Sequence, residues 1–251
     1  MAKIRIIARI DVKNEYVIKG IHLEGLRKVG FPNEMALKYY NEGIDEIIFM
    51  DAVASLYNRN NIFHIIEKAC KEVFIPITIG GGIRKISDIE YALKSGADKI
   101  AINTQAIKEP ELIKTASRIY GSQCIIGSIE AKRVNGGWEA YIDNGREPTG
   151  VNAVEWAEKL QDLGAGELMI TSIDQEGTKR GFDIDLINAI MKVTNIPIIS
   201  SGGAGEIKHA TDLLTKTNCM AFALASTLHY DLIDLPEMKQ SLKNQNFNIR
   251  L

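Results

Sequence analysis

Three short motifs in the first half of the chain return in the second half about 120 residues later, a period close to half of the sequence. The offsets between the paired motifs lie between 119 and 122 residues in a chain of 251. Because chance matches would not share one offset, we interpret the chain as two similar halves, residues 1–120 and 121–251. The pairs are Asp11-Val12-Lys13 with Glu130-Ala131-Lys132, residues 79–83 with 201–205, and residues 101–106 with 223–227.

Short apolar, β-branched stretches alternate with longer amphipathic stretches along the whole chain, a pattern typical of βαβ units that feed a parallel sheet. We expect strands at residues 4–11, 46–51, 75–80, 99–103, 124–130, 167–172, 196–201 and 220–225. Helices are expected between them, including residues 33–42, 61–72, 87–94, 111–119, 153–163 and 184–193. Eight such pairs without a linker predict the α/β class and a single (β/α)₈ TIM barrel over residues 1–251, built from two half-barrels.

Composition narrows the classes of ligand. The formal net charge is −2 at pH 7 and the sequence pI is about 6.1, so no basic field attracts nucleic acid or an anionic membrane. Any anionic ligand must therefore be held by the local geometry of a binding site, which favours a metabolite over a polymer. No apolar run reaches the ~18 residues of a membrane span, and we expect a cytoplasmic protein. The three cysteines lie far apart and the histidines show no ligand spacing, so we expect neither a metal nor a cofactor.

Two glycine clusters follow predicted strands, and each is paired with small polar residues at the end of the next strand. Glycine lets the backbone approach an anion and present N–H groups to it. Loops after the seventh and eighth strands of such barrels commonly bind phosphate, and the repeat predicts a second site in the first half. Two facing anion sites imply a substrate with a phosphate at each end. The residues are Gly81, Gly82, Asn103 and Thr104 in the first half, and Gly202, Gly203, Ala225 and Ser226 in the second.

Three carboxylates, Asp11, Asp51 and Glu130, end predicted strands, where barrel side chains reach the rim. Partial burial raises the pKa of a carboxyl towards neutrality, which suits a general acid or base. A lone aspartate at a strand end is more often a helix cap or a loop hydrogen-bonder. Because the repeat pairs Asp11 with Glu130, we predict these two as the catalytic residues and assign Asp51 to substrate binding.

Together these motifs resemble the cyclase subunit of imidazole glycerol phosphate synthase, a family of histidine biosynthesis, over residues 5–230. The sister isomerase of that pathway shares the barrel and the phosphate sites. Gly121-Ser122-Gln123-Cys124 and residues 163–167 are much more similar to the cyclase. The other segments that carry the resemblance are residues 11–13, 17–20, 80–84, 102–104, 131–133, 148–150, 167–179 and 201–205.

The resemblance implies that a separate glutaminase subunit docks at the bottom face of the barrel and that its ammonia travels through the core to the top. There a bis-phosphorylated ribulosyl aminoimidazole carboxamide ribotide would be split into imidazole glycerol phosphate and an aminoimidazole carboxamide ribotide. By the same resemblance Asp11 and Glu130 are general base and acid, Lys19 lies in a mobile loop, and Glu176 and Gly177 contact substrate. Arg5, Glu46, Lys99 and Glu167 match a charged ring that gates the ammonia path; a purely structural ring of ion pairs is the other interpretation.

Three residues depart from the family pattern. Glu130 and Glu176 stand where the family usually has Asp, and the extra methylene is comparable to a ~1 Å misplacement that costs roughly 10²-fold in rate. Arg9 points into the barrel two residues before Asp11, where the family has a small or apolar side chain. A buried guanidinium needs a carboxylate, which Asp11 or Glu130 can supply. We expect Arg9 to pair with Glu130, to lower the pKa of that carboxyl and so to weaken it as an acid.

Three functions remain in competition. The first is the histidine-pathway cyclase, a lyase. The second is a paralogue that uses ammonia to amidate a sugar nucleotide for surface polysaccharide; Arg9, Glu130 and Glu176 favour it, whereas both intact phosphate sites favour the first. The third is a non-catalytic scaffold that activates a glutaminase, which the presence of Asp11, Lys19, Asn103 and Ser226 disfavours.

Overall fold

The structure, a computed structural model, describes residues 3–52 and 62–251. Within these residues eight parallel strands close into a barrel, which confirms the predicted (β/α)₈ architecture. The strands are numbered in chain order together with four that lie outside the barrel. Going around the barrel, they are β1 Arg5–Lys13, β4 Glu46–Asp51, β5 Ile77–Gly80, β6 Lys99–Ile102, β7 Ile125–Val134, β10 Glu167–Ser172, β11 Ile198–Ser201 and β12 Ala221–Leu224, and β12 pairs with β1.

All eight predicted strands are present, with small differences at their ends. Two strands begin two residues later than expected, at Ile77 and Ile198, and each begins directly after a proline. Pro76 and Pro197 contribute only their carbonyl oxygens, which accept from the N–H groups of Ile47 and Leu168. Proline therefore marks where these strands enter the sheet.

Two antiparallel hairpins rise from the top of the barrel. The first consists of β2 (Tyr16–Ile21) and β3 (Glu24–Gly30), and the second of β8 (Gly137–Ile142) and β9 (Glu147–Asn152). β1 and β7 run further than predicted because each continues upwards to pair with the first strand of its hairpin. The hairpins follow the first strand of each proposed half, in agreement with the repeat; the repeat itself stays a prediction.

Helices cover the outside of the barrel between the strands. The predicted helix 61–72 starts at a residue outside the described part of the chain, and its described portion is Phe63–Ala69. Two further short helices, Thr104–Lys108 and Ser226–His229, begin directly at the ends of β6 and β12 and were not predicted. The remaining α-helices are Pro32–Asn41, Ile86–Lys94, Glu111–Tyr120, Ala153–Asp162, Ile184–Met191, Ile207–Lys216 and Leu235–Asn244, and a 3₁₀ turn spans Ser122–Cys124.

Strand alternation produces two separate apolar cores. One lies between the sheet and the helices and contains most of the buried hydrophobic residues. The other fills the barrel interior with side chains from nearly every strand, including Ile7, Ile48, Ile126, Met169 and Ile199. This inner layer separates a charged ring at the bottom of the barrel from polar side chains at the top. The top rim, where the strands end, is therefore where an accessible site can form.

No helix in the described residues is long and apolar enough to cross a bilayer. In the same part of the chain, no three His, Cys, Asp or Glu side chains converge as a metal site would require.

Candidate functional site

One recess at the top rim is lined mostly by residues of the first half of the chain. It has a volume of about 250 Å³ and lies over the ends of β4, β5, β6 and β7. Six of its lining residues were predicted from the sequence: Asp51, Gly81, Gly82, Asn103, Thr104 and Glu130. The structure therefore brings the first proposed anion site and one proposed catalytic carboxyl into one space.

A second, much tighter recess lies at the ends of β10, β11 and β12. Its volume is about 20 Å³. The six predicted substrate-binding residues of the second half line it: Glu176, Gly177, Gly202, Gly203, Ala225 and Ser226. The short helix Ser226–His229 begins here, in the position where barrels of this type commonly place a short extra helix at a phosphate site.

The glycines in both recesses occupy backbone conformations that disfavour other residues. Gly81 has a φ of +88° and Gly202 a φ of +95°. A Cβ on Gly81 would lie 2.3 Å from the carbonyl oxygen of Asp51, and one on Gly203 would lie 1.9 Å from that of Gly181. Tight turns against neighbouring strand ends thus explain these glycines before any ligand is considered. The interpretation as anion sites rests instead on the recesses that the loops border.

Asp11, on β1, and Lys19, on β2 of the first hairpin, lie between the two recesses. They line a small recess of about 10 Å³. The Lys19 ammonium lies 3.5 Å from Asp11 Oδ2 and forms a close ion pair with Glu176. The hairpin is held down by His22, whose N–H donates to the Glu176 carbonyl oxygen and whose Nδ1 lies 2.8 Å from the carbonyl oxygen of Ile173. The proposed loop lysine is therefore buried over the site.

The charges around Asp11 fix it as a carboxylate. Burial would raise its pKa, but the charges of Arg9 and Lys19 and the Arg9 hydrogen bond outweigh burial and hold the pKa below its ordinary value. Burial likewise works against the ammonium form of Lys19, while Glu176 and Asp11 raise its pKa. Nearby His229 has a pKa lowered to about 4, chiefly by burial and then by Lys19, so it is neutral at pH 7.

Glu130 has a different environment. Its Oε2 accepts hydrogen bonds from Asn103 Nδ2 and from the N–H of Gly145, both at 2.8 Å. Both donors are neutral. Burial raises the pKa of Glu130 to about 7; Arg9 and the Gly145 hydrogen bond oppose the rise, whereas Asp11 and Asp143 add to it. At neutral pH this carboxyl is poised to give or take a proton, as acid–base catalysis requires.

The predicted pairing of Arg9 with Glu130 is wrong. Arg9 Nε donates to Asp11 Oδ1 at 2.8 Å, and its Nη1 donates to Thr171 Oγ1 at 2.8 Å and Ser201 Oγ at 3.3 Å. Asp11 is the nearer carboxylate because it projects inward from the same strand, two residues further on. The predicted net lowering of the Glu130 pKa is also wrong, because burial outweighs the effect of Arg9.

The four residues predicted to form a charged ring do so at the bottom of the barrel. Arg5 Nη1 lies 2.8 Å from Glu46 Oε1, and its Nη2 contacts Glu167. Lys99 Nζ lies 3.2 Å from Glu46 Oε2 and 3.0 Å from Glu167 Oε2. Each charge thus contacts two of opposite sign. This closed arrangement is compatible with both a gate and a structural ring.

A wide recess of about 600 Å³ opens at the same end of the barrel as the ring. Arg5, Lys99 and Glu167 form part of its lining, together with Lys3, Pro197 and Met220. The end of the barrel that was expected to face a partner therefore carries both the ring and a concave surface.

The sequence interpretation missed several residues of the site. Arg84, Lys108 and Asn144 also line the larger recess, although Arg84 was quoted as part of a motif. Thr171 and Ser201, which anchor Arg9, are polar residues at inward positions near strand ends. Strand alternation around Arg9 could have identified both of them.

The chain is similar in sequence to known proteins of one family. Residues 5–234 match the family described as histidine biosynthesis protein. The imidazole glycerol phosphate synthase subunit HisF of Legionella pneumophila is 55% identical over 209 residues, covering 83% of this chain and 99% of that protein. The corresponding subunit of Clostridium botulinum (strain Okra / Type B1) is 42% identical over 249 residues, 98% of both chains.

Proposed function

Since the chain belongs to the histidine biosynthesis protein family, alongside the imidazole glycerol phosphate synthase subunits HisF, we propose that it is the cyclase subunit of such a synthase. Its substrate is then the bis-phosphorylated ribulosyl aminoimidazole carboxamide ribotide. The products are imidazole glycerol phosphate and an aminoimidazole carboxamide ribotide. The nitrogen comes as ammonia from a glutaminase subunit.

The two recesses support a substrate with a phosphate at each end. They lie on opposite halves of one rim, and the Asp11–Lys19–Glu176 contacts connect them. In this proposal Gly81, Gly82, Asn103 and Thr104 hold one phosphate, and Gly202, Gly203, Ala225 and Ser226 hold the other. Asp51, Glu176 and Gly177 then contact the part of the substrate between them, and Lys19 covers it.

The observation that carries the proposal is the unequal pair of carboxyl groups. Adding ammonia to a carbonyl carbon and expelling an amine both require protons to move on and off the reacting atoms. Glu130, with a pKa of about 7, suits the role of proton donor, and Asp11, whose pKa is held below its ordinary value, suits that of base or electrostatic stabiliser. Two acids with separated pKa values are the usual basis for dividing these roles.

The bottom of the barrel supports the partner assignment. A heterodimer with a glutaminase would place that subunit over the wide recess and the ring of Arg5, Glu46, Lys99 and Glu167. Ammonia would then pass the ring and travel through the barrel interior to the top. In this account the ring is the gate.

The proposal is tested by supplying the purified chain with ammonium salt and the bis-phosphorylated intermediate and measuring both products. We expect both to form in equal amounts, at a rate that requires Glu130. A Ser128→Ala variant is the matched control, because Ser128 is equally buried on the same strand two residues earlier. Failure to form either product, with the intermediate still bound, would overturn the proposal.

One observation favours the second candidate, amidation of a sugar nucleotide. Both oxygens of Asp11 face cations, Arg9 at 2.8 Å and Lys19 at 3.5 Å, which makes Asp11 a weaker base. In that case the chain would deliver ammonia rather than convert the ribotide. The same assay separates the two functions, since only the first yields imidazole glycerol phosphate.

A further inference from the structure

Arg9 crosses the interior of the barrel. It is fully buried on β1, yet its guanidinium reaches Thr171 on β10 and Ser201 on β11, which are three strands and two strands away around the closed sheet. Below it lies the apolar inner layer, with Ile7 on the same strand. The arginine therefore separates that layer from the carboxyl groups of the top site.

The anchoring of Arg9 fixes how it meets Asp11. Two hydroxyl groups, at 2.8 and 3.3 Å, hold the Nη1 side of the guanidinium, which leaves Nε to donate to Asp11 Oδ1 at 2.8 Å. A guanidinium is planar and rigid, so holding one edge fixes the direction of the other donors. Asp11 is thereby held with one oxygen towards the barrel interior and the other towards Lys19.

Arg9 also balances the charge of the site. Asp11 and Glu176 bring two negative charges, and Arg9 and Lys19 bring two positive ones. Glu130 is the fifth ionisable group, and it is bound by neutral donors, Asn103 and Gly145. Of the other titratable groups, Asp143 acts on Glu130 and His229 acts on Asp11, while Asp51, Arg84 and Lys108 line the same recess as Glu130. Without Arg9, Asp11 and Glu176 would share Lys19.

We propose that Arg9 is a positioning residue that locks Asp11 as a carboxylate and thereby leaves the one transferable proton of the Asp11–Glu130 pair on Glu130. A substrate with two phosphates adds negative charge to this site, which makes a fixed cation beneath Asp11 more important. The inference rests on the proposed function only for the use of that proton. The division of charge between the two acids is a property of the unliganded chain.

The direct test is a titration of the native protein followed by ¹³C NMR of labelled Asp and Glu carboxyl carbons. Asp11→Asn and Glu130→Gln variants assign the two resonances by their disappearance. We expect the Glu130 signal to titrate near neutral pH and the Asp11 signal to stay that of a carboxylate down to pH values below the ordinary aspartate range. Titration of Asp11 near neutral pH, with Glu130 ionised, would overturn the inference.

An Arg9→Met variant tests whether the arginine is the cause. Methionine retains much of the length without the charge, so the Asp11 midpoint should rise by about one to three pH units, or 10- to 1000-fold in proton affinity. Ser128→Ala is the matched control: Ser128 is as buried as Arg9 but is not one of the hydroxyl groups that hold it, so the Asp11 midpoint should stay near its native value. An unchanged midpoint in Arg9→Met would overturn the inference.

If Arg9→Met does not fold, the native titration still decides the charge states. Arg9→Lys then tests the cause, since it retains the cation and should restore a low Asp11 midpoint. A lysine variant whose Asp11 titrates near neutral pH although the ammonium is in contact would contradict the role of Arg9. Turnover is measured separately. If the native chain forms no product, the proposed function is wrong, but the titration still decides how charge is divided between Asp11 and Glu130.

Discussion

Two networks of buried charge lie in the same barrel, one at each end, and they are built differently. At the bottom, Arg5, Glu46, Lys99 and Glu167 form a closed ring in which each charge contacts two opposite ones. At the top, two cations surround Asp11, whereas Glu130 is bound only through neutral donors. The ring at the bottom stabilises charges that stay fixed. The charges at the top are shared unequally between the two acids, and Glu130 has a pKa of about 7, which is where proton transfer is useful.

The largest effect on turnover is expected from removing the carboxyl proton of Glu130. Glu130→Gln retains an oxygen that can accept from Asn103 and Gly145, so the fold should persist while turnover with ammonium falls by about 10²- to 10⁴-fold. The substrate KM should change little. Steady-state kinetics of this variant beside Ser128→Ala provide the measurement. Retention of more than roughly a tenth of the native kcat would be inconsistent with general acid catalysis of the ~10²-fold size assigned here.

The raised pKa of Glu130 also predicts a dependence of stability on pH. A carboxyl whose folded pKa lies above its ordinary value binds its proton more tightly when folded. Its contribution is complete below the ordinary pKa of 4.5 and is lost as the pH rises through about 7. Relative to Glu130→Gln, the free energy of unfolding of the native chain should therefore fall by about 3 kcal/mol between low and slightly alkaline pH. Denaturant titrations of both proteins at several pH values measure this difference, and parallel curves would show that Glu130 titrates normally.

Breaking the charged ring at the bottom should affect the stability of the protein more than its turnover. Glu167→Gln leaves Arg5 and Lys99 to share Glu46, and the two cations are about a fifth to a quarter exposed. We expect a loss of about 1–3 kcal/mol, less than for a fully buried pair because water reaches the cations. Turnover with ammonium added from solution should stay within about twofold, since the ring lies below the apolar layer. Thermal unfolding and kinetics together test this. A collapse of ammonium-dependent turnover without a loss of stability would place the ring in the chemistry itself.

The smallest effect is expected at the hairpin over the top site. His22→Ala removes the ring contact to the Ile173 carbonyl oxygen and keeps the backbone bond to Glu176. One hydrogen bond contributes about 1 kcal/mol, so KM should rise by about fivefold with little change in kcat. Kinetics with saturating ammonium provide the test. An equal fall in kcat would mean that the hairpin, and with it Lys19, acts in the chemical step.

The sequence predicted much of the fold, and which residues meet at the top rim, for one physical reason. In a parallel barrel all strands end at one rim, so residues found at strand ends, such as Asp11, Asn103 and Ser226, must gather there. The ring at the bottom was predictable from the same rule applied to strand starts. Alternation also placed Arg9 correctly in the interior.

What the sequence could not predict depends on distances across the interior. Arg9 was expected to meet Glu130, but its side chain turns towards Thr171 and Ser201 and contacts Asp11 instead. The pKa of Glu130 depends on how deeply the carboxyl is buried and on its contact with the Gly145 N–H, and both are set by the packing of the second hairpin against β7 rather than by a local motif. The different volumes of the two recesses, about 250 and 20 Å³, likewise follow from packing rather than from motif similarity.

In the proposed complex one substrate spans both recesses, with Asp11 and Glu130 between its two phosphates. A crystal structure of the Glu130→Gln variant soaked with the bis-phosphorylated intermediate tests it most directly. We expect one molecule with its phosphates at the Gly81–Gly82 and Gly202–Gly203 loops and its reacting carbons between Asp11 and residue 130. A ligand confined to one loop, or bound away from both side chains, would contradict the account.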